Sequence, residues 1–519
     1  MKNTIIKISV AWAIAFAISF SAEADQAVPE TWKTGQTTKT SRSISTGSTL
    51  PSNNMVDIRV LDENIWVGTN KGVGRFTPTA GSSDPIEGTW LSFNQSDGLG
   101  RGGVSALVTS FVPGLGSIVA AATIFDTTTG LGDFQAGGGI AISDNNGENW
   151  LWMPQPIDSL DETEFEPTVT NIQNTTWDLG FLGNRLWAAS WGGGLRYLEL
   201  SPDMTEEDLV WVNQPPDTND FNVQANLNHL AFSIAVMDTL LWVGSAGGIN
   251  LSNDNGETWQ HFTHSSTNEA TVSGNWAPAM AAQITTSGKH VLWAATRSTQ
   301  NSGSDATQFN GVSKSEDFGA TWQRVLGGIN EPVLVNNFAF DDSVVFAASN
   351  DGLYKSTDFG ETWGLFPDIY DPISGERTYR PEVYGALFAL DRLWRGGPEG
   401  LAVSPDYGNS WRIIRTYPVP GEGSTPDAYA YPVPFSPNRY PALRFQYEMD
   451  NSGKVSLEIY DFAMELVVRP VKNEWRTAGP HTEAWDGKGP GGSEIANGVY
   501  FFRIAGGGEE RWGKLLILD

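Results

Sequence analysis

Seven acidic side chains stand in the longer segments between the apolar stretches of the chain, and they are the groups best suited to catalysis. Most glycoside hydrolases place two carboxyl groups on either side of the scissile bond. The candidates are Asp126, Asp133, Asp158, Glu162, Asp371, Glu376 and Glu382. The chain has 60 acidic against 32 basic residues, so a solvated acidic surface would contain the same groups. A glycoside hydrolase is therefore the alternative to a non-catalytic protein.

A second set of candidates combines aromatic and polar residues at the points where inner β-strands are expected to begin. The set consists of Trp177, His229, Trp276, Asn337 and Tyr384, with Arg101 and Arg380 beside them. Aromatic rings with a few polar groups at a concave mouth suit a sugar or a peptide segment. The alternative is that these side chains pack the channel and satisfy one another.

Other chemistries are disfavoured by composition and spacing. The five histidines lack metal-ligand spacing, and no Gly-Lys-Ser/Thr phosphate loop occurs, so neither a metal nor a cofactor is expected. The net charge of −28 repels phosphate backbones, which argues against a nucleic-acid partner. The chain has no cysteine and must be held together by core burial without disulfides.

An eight-residue pattern, Ser-x-Asp-x-Gly-x-x-Trp, recurs along the chain and must position these groups. Its acidic members are Asp254, Asp317, Asp358 and Asp406, and a fifth copy has Asn145 instead. Ser and Asp side chains can accept bonds from backbone N–H groups at a tight turn, while Gly takes a positive φ. These five residues are therefore predicted to be structural.

The pattern resembles the Asp box of the BNR-repeat proteins, which include sialidases, sortilin-type receptors, xyloglucanases and photosystem assembly factors. Apolar strands with an aromatic centre accompany it, and Trp187, Trp242, Trp293, Phe346 and Trp394 recur every 48–55 residues. Seven such units are found, which predicts a seven-bladed β-propeller over residues 55–417. If the chain is an enzyme, the resemblance implies a divergent sialidase- or xyloglucanase-like hydrolase.

The extra sequence is expected to lie on one face of the propeller. Turns between first and second strands are short, and they share a face with the repeat turns. The other face, called the loop face below, receives insertions at 123–138 and 297–310 and long connectors at 151–175, 212–228 and 364–382. Long loops in a compact domain are commonly functional. The ligand-binding surface is therefore predicted on the loop face.

Both ends of the chain indicate export. Residues 1–24 have the charged, apolar and small-residue pattern of a cleaved signal peptide, and 25–54 form a Ser/Thr-rich linker. After a linker at 418–428, residues 429–519 resemble the FlgD-like immunoglobulin-type domain and the sorting domain of the type IX secretion system. Val433 and Glu465 depart from that pattern. The resemblance implies outer-membrane secretion machinery as a partner.

Together these observations predict a monomeric, non-catalytic binding protein, exported to the extracellular space or outer-membrane surface of a Gram-negative bacterium.

Overall fold

The computed structural model describes residues 50–130, 132–157, 170–202, 209–217, 221–223, 225–299, 307–366, 369–373, 376–378, 380–416, 426–438, 440 and 442–518. The chain divides into two compact units between Thr416 and Tyr417. The predicted signal peptide and most of both predicted linkers lie outside the described residues. None of the helices within the described ranges is long and apolar enough to cross a membrane.

The first unit contains seven four-stranded antiparallel sheets, each built from four consecutive strands. Blade 1 comprises β1 Met55–Leu61, β2 Asn64–Thr69, β3 Gly72–Pro78 and β4 Gly88–Phe93. Blade 2 comprises β5 Gly103–Val112, β6 Gly116–Thr129, β7 Gly132–Ser143 and β8 Leu151–Met153. Blade 3 comprises β9 Thr176–Leu182, β10 Arg185–Ser190, β11 Gly194–Glu199 and β12 Val212–Asn213. Blade 4 comprises β13 Ala231–Met237, β14 Leu240–Ser245, β15 Ile249–Ser252 and β16 Gln260–Phe262.

The remaining blades follow the same order. Blade 5 comprises β17 Trp276–Ile284, β18 His290–Arg297, β19 Gly311–Ser315 and β20 Gln323–Gly327. Blade 6 comprises β21 Val335–Asp341, β22 Val344–Ser349, β23 Gly352–Ser356 and β24 Gly364–Leu365. Blade 7 comprises β25 Gly385–Ala389, β26 Arg392–Gly397, β27 Gly400–Ser404 and β28 Arg412–Ile414. Short 3-10 helices occur at Gln95–Asp97 and Leu227–His229.

The seven sheets form a closed ring, because the first strand of each blade contacts the first strand of the next and β25 contacts β1. The hydrophobic core is divided among seven seams between neighbouring blades. Second strands are buried on both faces, and those of blades 1 and 4, for example, place Trp66 and Trp242 at the seam with the next blade. This double burial explains why these strands are continuous apolar runs rather than alternating ones. The predicted seven-bladed propeller is confirmed.

The recurring eight-residue pattern forms the turn between the third and fourth strands of five blades. In blade 6, Ser356 Oγ accepts from the Gly360 N–H at 2.8 Å and donates to Asp358 Oδ1 at 2.7 Å. Asp358 accepts from the Thr362 N–H at 2.9 Å and from its hydroxyl at 2.6 Å. The bond from the Thr362 hydroxyl is the main cause that lowers the pKa of Asp358 to about 2. The turns of Asp254, Asp317 and Asp406 repeat the network. The turn of Asn145 keeps the bond to the repeat glycine and the two bonds that the amide oxygen of Asn145 accepts.

Each repeat turn also joins its blade to the preceding blade. Gly360 has a φ of +84°, and a Cβ placed there would lie 2.7 Å from Cη2 of Trp293 in blade 5. A cationic side chain of the preceding blade reaches the carbonyl just before the repeat glycine. The four pairs are Arg75 with Asn146, Arg185 with Asn255, Lys314 with Phe359 and Lys355 with Tyr407, at 2.5, 2.9, 2.7 and 3.0 Å. The motif is thus an inter-blade joint as well as a local turn.

Every blade is made of consecutive strands, so blades 1 and 7 share no sheet. Side-chain hydrogen bonds join these two blades instead. Asn53 Nδ2 donates to the Thr416 carbonyl, and Asn53 Oδ1 accepts from the Thr416 N–H, both at 2.8 Å. Arg412 of blade 7 donates to Asp84 of blade 1 at 2.6 Å. These bonds close the ring next to the hydrophobic seam between the two blades.

The second unit is an immunoglobulin-like β-sandwich. One sheet has the order β29-β30-β33 and the other β32-β31-β34-β35. The strands are β29 Ala428–Tyr431, β30 Leu443–Met449, β31 Gly453–Tyr460, β32 Leu466–Arg476, β33 Gly479–Trp485, β34 Gly498–Gly506 and β35 Glu509–Ile517, with a 3-10 helix at Pro490–Gly492. Phe445, Leu457, Phe502 and Leu515 are among the residues of the core between the sheets.

The insertion at 123–138 differs from the irregular loop that its length suggested. It extends the second and third strands of blade 2 into a long hairpin, paired from Thr123 with Gly139 to Thr129 with Gly132. β-Branched residues such as Thr127, Thr128 and Thr129 favour an extended backbone, which explains the outcome. The insertion at 297–310 is described only in part, at 297–299 and 307–310.

Candidate functional site

An aromatic cluster lies where the inner strands of blades 3, 4 and 5 begin. Leu230, Phe232 and Ala246 form its buried part, and the partly buried side chains of Trp177, Trp191, Val223 and Trp276 pack against them. The ring centroids of Phe232 lie 5.3 Å from Trp191 and 5.2 Å from Trp276. The three tryptophans remain partly exposed. The structure therefore brings two predicted residues, Trp177 and Trp276, into one cluster.

β-Bulges near the beginnings of the inner strands place these rings. In β9 the pairing with β10 passes from Asp178 to Thr176, which leaves Trp177 as the additional residue. In β13 the pairing passes from Ala231 to Ser233 and leaves Phe232 unpaired in the same way. A bulge bends the strand and redirects a side chain. Trp177 and Phe232 consequently turn towards the loop-face end of the sheets.

A cation lies over the cluster. The guanidinium carbon of Arg297, at the end of β18, is 5.2 Å from the centre of the Trp276 ring. Burial lowers the pKa of Arg297 to about 10, so the side chain stays cationic at neutral pH. The indole N–H groups of Trp177 and Trp276 are buried and have no acceptor among the described residues, but the same is true of core residues such as Trp66. What distinguishes the cluster is the exposed ring area beside a cation.

His229, another predicted residue, is fully buried, and both of its ring nitrogens contact other residues of the protein. Its Nδ1 accepts from the Asn222 N–H at 2.8 Å, and its Nε2 lies 2.9 Å from Asp217 Oδ1. Its ring also stacks on Phe221 with a centroid separation of 5.6 Å. These contacts hold the connector between blades 3 and 4, so direct ligand contact by His229 is not supported. The polar residue type suggested a ligand, but burial has given it a structural role.

The other predicted residues lie outside the aromatic cluster. Arg101 places its guanidinium carbon 4.3 Å from the centre of the Phe125 ring, at the base of the blade 2 hairpin. Asn337 is in β21, and Tyr384 directly precedes β25. Arg380 Nη2 donates to Glu382 Oε1 at 2.6 Å. Burial is the main cause that raises the pKa of Tyr384, and the charge of Glu382 adds to it. The structure therefore brings Trp177 and Trp276 together and leaves the other five predicted residues outside the aromatic cluster.

The predicted carboxylates that fall within the described ranges mostly have protein partners. Asp371 is fully buried and accepts from Arg412 Nε at 3.2 Å, while Glu376 lies 3.6 Å from Arg415 Nη1. Asp133 accepts from Thr128 at 2.7 Å, and burial is the main cause that raises the pKa of Asp126. Asp158 and Glu162 lie outside the described residues. No group of three or more His, Cys, Asp or Glu that could hold a metal occurs among the residues the structure describes.

A further carboxyl, Asp178, is partly buried on the innermost strand of blade 3. It accepts from the N–H groups of Leu179 at 2.9 Å and of Ile234, in blade 4, at 2.7 Å. Burial raises the pKa of Asp178 to about 7, with the charge of Arg59 opposing the change. Asp57 joins blades 1 and 2 in the same way through the Leu107 N–H. These carboxyls connect neighbouring blades.

Arg395 is the residue that the sequence interpretation missed. It is 6% exposed in β26, and its guanidinium has neither a hydrogen bond nor a salt bridge with any residue in the described ranges. A signal for it exists in the repeat. The strand register aligns it with Val67, Ala121, Ala188, Val243, Ala294 and Ala347 in the other blades. A cation stands where every other blade has a small apolar residue.

No family model and no curated protein matches the chain. Among solved structures, PorZ, an essential surface component of the type-IX secretion system of Porphyromonas gingivalis, is 14% identical over 91% of this chain and 66% of its own, with a TM-score of 0.29. An ancestral GH74 enzyme is 15% identical over 90% of this chain and 63% of its own, with a TM-score of 0.48. YCF48 from Cyanidioschyzon merolae is 16% identical over 68% of this chain and 96% of its own, with a TM-score of 0.38.

The chain spans less than two thirds of the length of PorZ and of the GH74 enzyme. The TM-scores lie below 0.5, so these likenesses carry no argument about activity or partners.

Proposed function

We propose that this chain is an exported, non-catalytic binding protein whose propeller recognises a glycan or an extended peptide segment on its loop face. The observation that carries the proposal is the partly exposed cluster of Trp177, Trp191 and Trp276 with Arg297 over the Trp276 ring. An aromatic face stacks on the C–H side of a sugar or on an apolar side chain.

The repeat turns support a family proposal of their own. In five turns the Ser side chain accepts from the N–H of the repeat Gly. In the same turns an Asp or Asn oxygen accepts from the backbone N–H of the residue two positions after that Gly. We therefore propose that the propeller is related to the Asp-box, or BNR-repeat, proteins. Their turn residues act here in folding, and ligand recognition belongs to the loop face.

The C-terminal sandwich is proposed to serve export or surface attachment, in line with its sequence resemblance to sorting domains. The two-unit division supports a separate task, since the sandwich has its own hydrophobic core. Together with the predicted signal peptide, this role supports our proposal that the protein acts in the extracellular space or at the outer-membrane surface of a Gram-negative bacterium.

The binding proposal is tested with the Trp276→Ala and Tyr384→Ala variants of the full chain on a glycan and peptide array. Loss of stacking costs about 1 kcal/mol, so each variant should bind several-fold more weakly at a nearly unchanged melting temperature. Trp475→Ala is the matched control, because this tryptophan is 64% exposed in the C-terminal sandwich. Undiminished binding by both loop-face variants would refute the proposed surface.

A divergent glycoside hydrolase is the second candidate. Asp178 favours it most, because its pKa of about 7 lies in the range of a general acid. Both of its oxygens accept backbone N–H groups, however, and they serve the joint between blades 3 and 4. Release of reducing ends from any bound polysaccharide, lost in Asp178→Asn, would establish the hydrolase and exclude the non-catalytic proposal.

A further inference from the structure

The seam between blades 6 and 7 contains a buried cation whose charge no neighbouring carboxylate pairs with directly. Arg395 faces this seam, since its directly opposite partners Ala386 and Ala402 pack with Ala339 and Ala348 of blade 6. Burial is the main cause that lowers its pKa, to about 10, and the charge of Glu399 acts against it. Arg395 is therefore cationic at neutral pH, and no carboxylate of the described residues comes within 4 Å of it.

The guanidinium is directed to the loop face. Its Nη2 lies 3.8 Å from where a Cβ of Gly397 would be, and Gly397 begins the turn that connects β26 with β27 on that face. Arg395 is 6% exposed, and its guanidinium nitrogens are not completely enclosed by the protein. The side chain thus ends near the loop-face end of β26 with a small solvent-exposed fraction.

A buried cation without a directly bonded partner is costly to keep. Burial of a charge without a hydrogen-bonded partner weakens the folded state, whereas an apolar side chain of similar size would not. The neighbouring Arg412 shows the usual solution, because Asp84 and Asp371 both accept from its guanidinium. Arg395 in the same blade lacks such partners. A group supplied from outside the chain is the simplest counterpart.

We propose that Arg395 anchors a carboxylate subsite on the loop face, so that the ligand is a glycan in which a uronic acid stands among neutral sugars. This inference rests on the proposed glycan-binding function. The planar guanidinium matches a carboxylate with two parallel bonds. A densely charged polyanion fits less well, since the chain itself has a net charge of −28.

Other residues bordering the subsite fit an acidic sugar. Asn337 pairs directly with Ala348 on the side of blade 6 that faces the seam. Tyr384 directly precedes β25, and its backbone N–H donates to the Gly396 carbonyl at 2.9 Å. Neither side chain has a hydrogen bond with another described residue. Both can therefore serve as donors or acceptors for sugar hydroxyl groups.

The test compares glucuronoxylan, hyaluronan and xanthan with the same three polysaccharides after reduction of their carboxyl groups to alcohols. The full chain should bind at least one acidic form about tenfold or more tightly than its reduced form, the range expected for a charge-assisted bond pair. Arg395→Met should abolish this preference. Its melting temperature should stay equal or rise, because the substitution removes a buried charge without a partner.

Arg392→Met is the matched control. Arg392 begins the same strand at the opposite face, where its guanidinium donates to the Pro85 carbonyl at 3.3 Å. This variant should keep the preference for the acidic form. A lower melting temperature of Arg395→Met together with a preserved preference would assign Arg395 a structural role and overturn the proposal.

The two proposals fail in different ways. If the protein binds acidic and reduced glycans equally, with loss only in Trp276→Ala, the carboxylate subsite is wrong and the aromatic surface stands. If no glycan binds and a glutamate-containing extended peptide binds through Arg395, the uronate assignment is wrong and the peptide form of the proposed function replaces it. If neither class binds, the proposed function itself is refuted.

Discussion

Replacement of Gly360 by alanine tests the claim that the repeat turn is a joint between blades. Gly360 combines two demands, a φ of +84° and the aromatic face of Trp293 from the preceding blade. A Cβ would lie 2.7 Å from Cη2 and 2.9 Å from Cζ3 of that ring. Trp293 cannot move easily, since it is fully buried and its Nε1 donates to Gln283 Oε1 at 2.7 Å.

The expected loss has two parts. A left-handed backbone costs a non-glycine residue about 1–2 kcal/mol, and overpacking of a well-packed seam costs about 1–3 kcal/mol. The free energy of unfolding of Gly360→Ala should therefore fall by about 2–5 kcal/mol. Gly364→Ala is the control in the same blade, because a Cβ there meets no atom within 4 Å. That control should change the free energy of unfolding by less than about 0.5 kcal/mol.

Urea unfolding followed by far-ultraviolet circular dichroism measures both variants. A double variant with Trp293→Leu separates the two parts, since the smaller side chain relieves the contact and leaves only the backbone cost. In the Trp293→Leu background, Gly360→Ala should thus cost about 1–2 kcal/mol. If Gly360→Ala is no more destabilising than Gly364→Ala in the native background, the inter-blade role of the turn is wrong.

Three further predictions concern other parts of the chain. Asp317→Ala removes the acceptor of three hydrogen bonds and should lower the free energy of unfolding by about 1–2 kcal/mol without changing ligand choice; unchanged melting with lost binding would contradict this. Asp178 has a folded-state pKa raised from 3.8 to about 7, so the native state binds the proton more tightly. Its contribution to the free energy of unfolding, at most about 4 kcal/mol, should disappear as the pH rises from about 4 to 7. Urea unfolding of Asp178→Asn should not show this decline. The same pH dependence of the free energy of unfolding in both proteins would disprove the prediction. Truncation at Glu422 should leave a folded propeller and block surface delivery in cell fractionation, and normal surface amounts of the truncated chain would exclude the sorting role.

The number of blades could be predicted from the sequence because each unit is specified locally. The turn bonds of Asp358 connect residues no more than four apart, and the apolar second strand is a continuous run of neighbours. Such patterns recur in the sequence wherever the structure recurs. The same reasoning places candidate residues at the beginnings of inner strands, since strand order follows from the repeat.

The composition of the candidate site depends on which blades meet. Trp177 and Phe232 meet in the aromatic cluster because the bulges in β9 and β13 redirect these rings, and residue type alone does not place a bulge. His229 has the polar character of a ligand-binding residue, but Asp217 and Asn222 occupy both ring nitrogens. These contacts arise only when a connector folds back on its own blade.

Arg395 shows the division between sequence and structure most directly. The sequence by itself determined that a cation follows Trp394 where other blades have Val or Ala. Only the tertiary structure decided that this position faces the seam with blade 6 and that no carboxylate of the described residues lies within bonding distance of it. The physical reason is that turns and strands are set by interactions within one blade. The surroundings of a buried charge, by contrast, are set by side chains that distant parts of the chain bring to the seam.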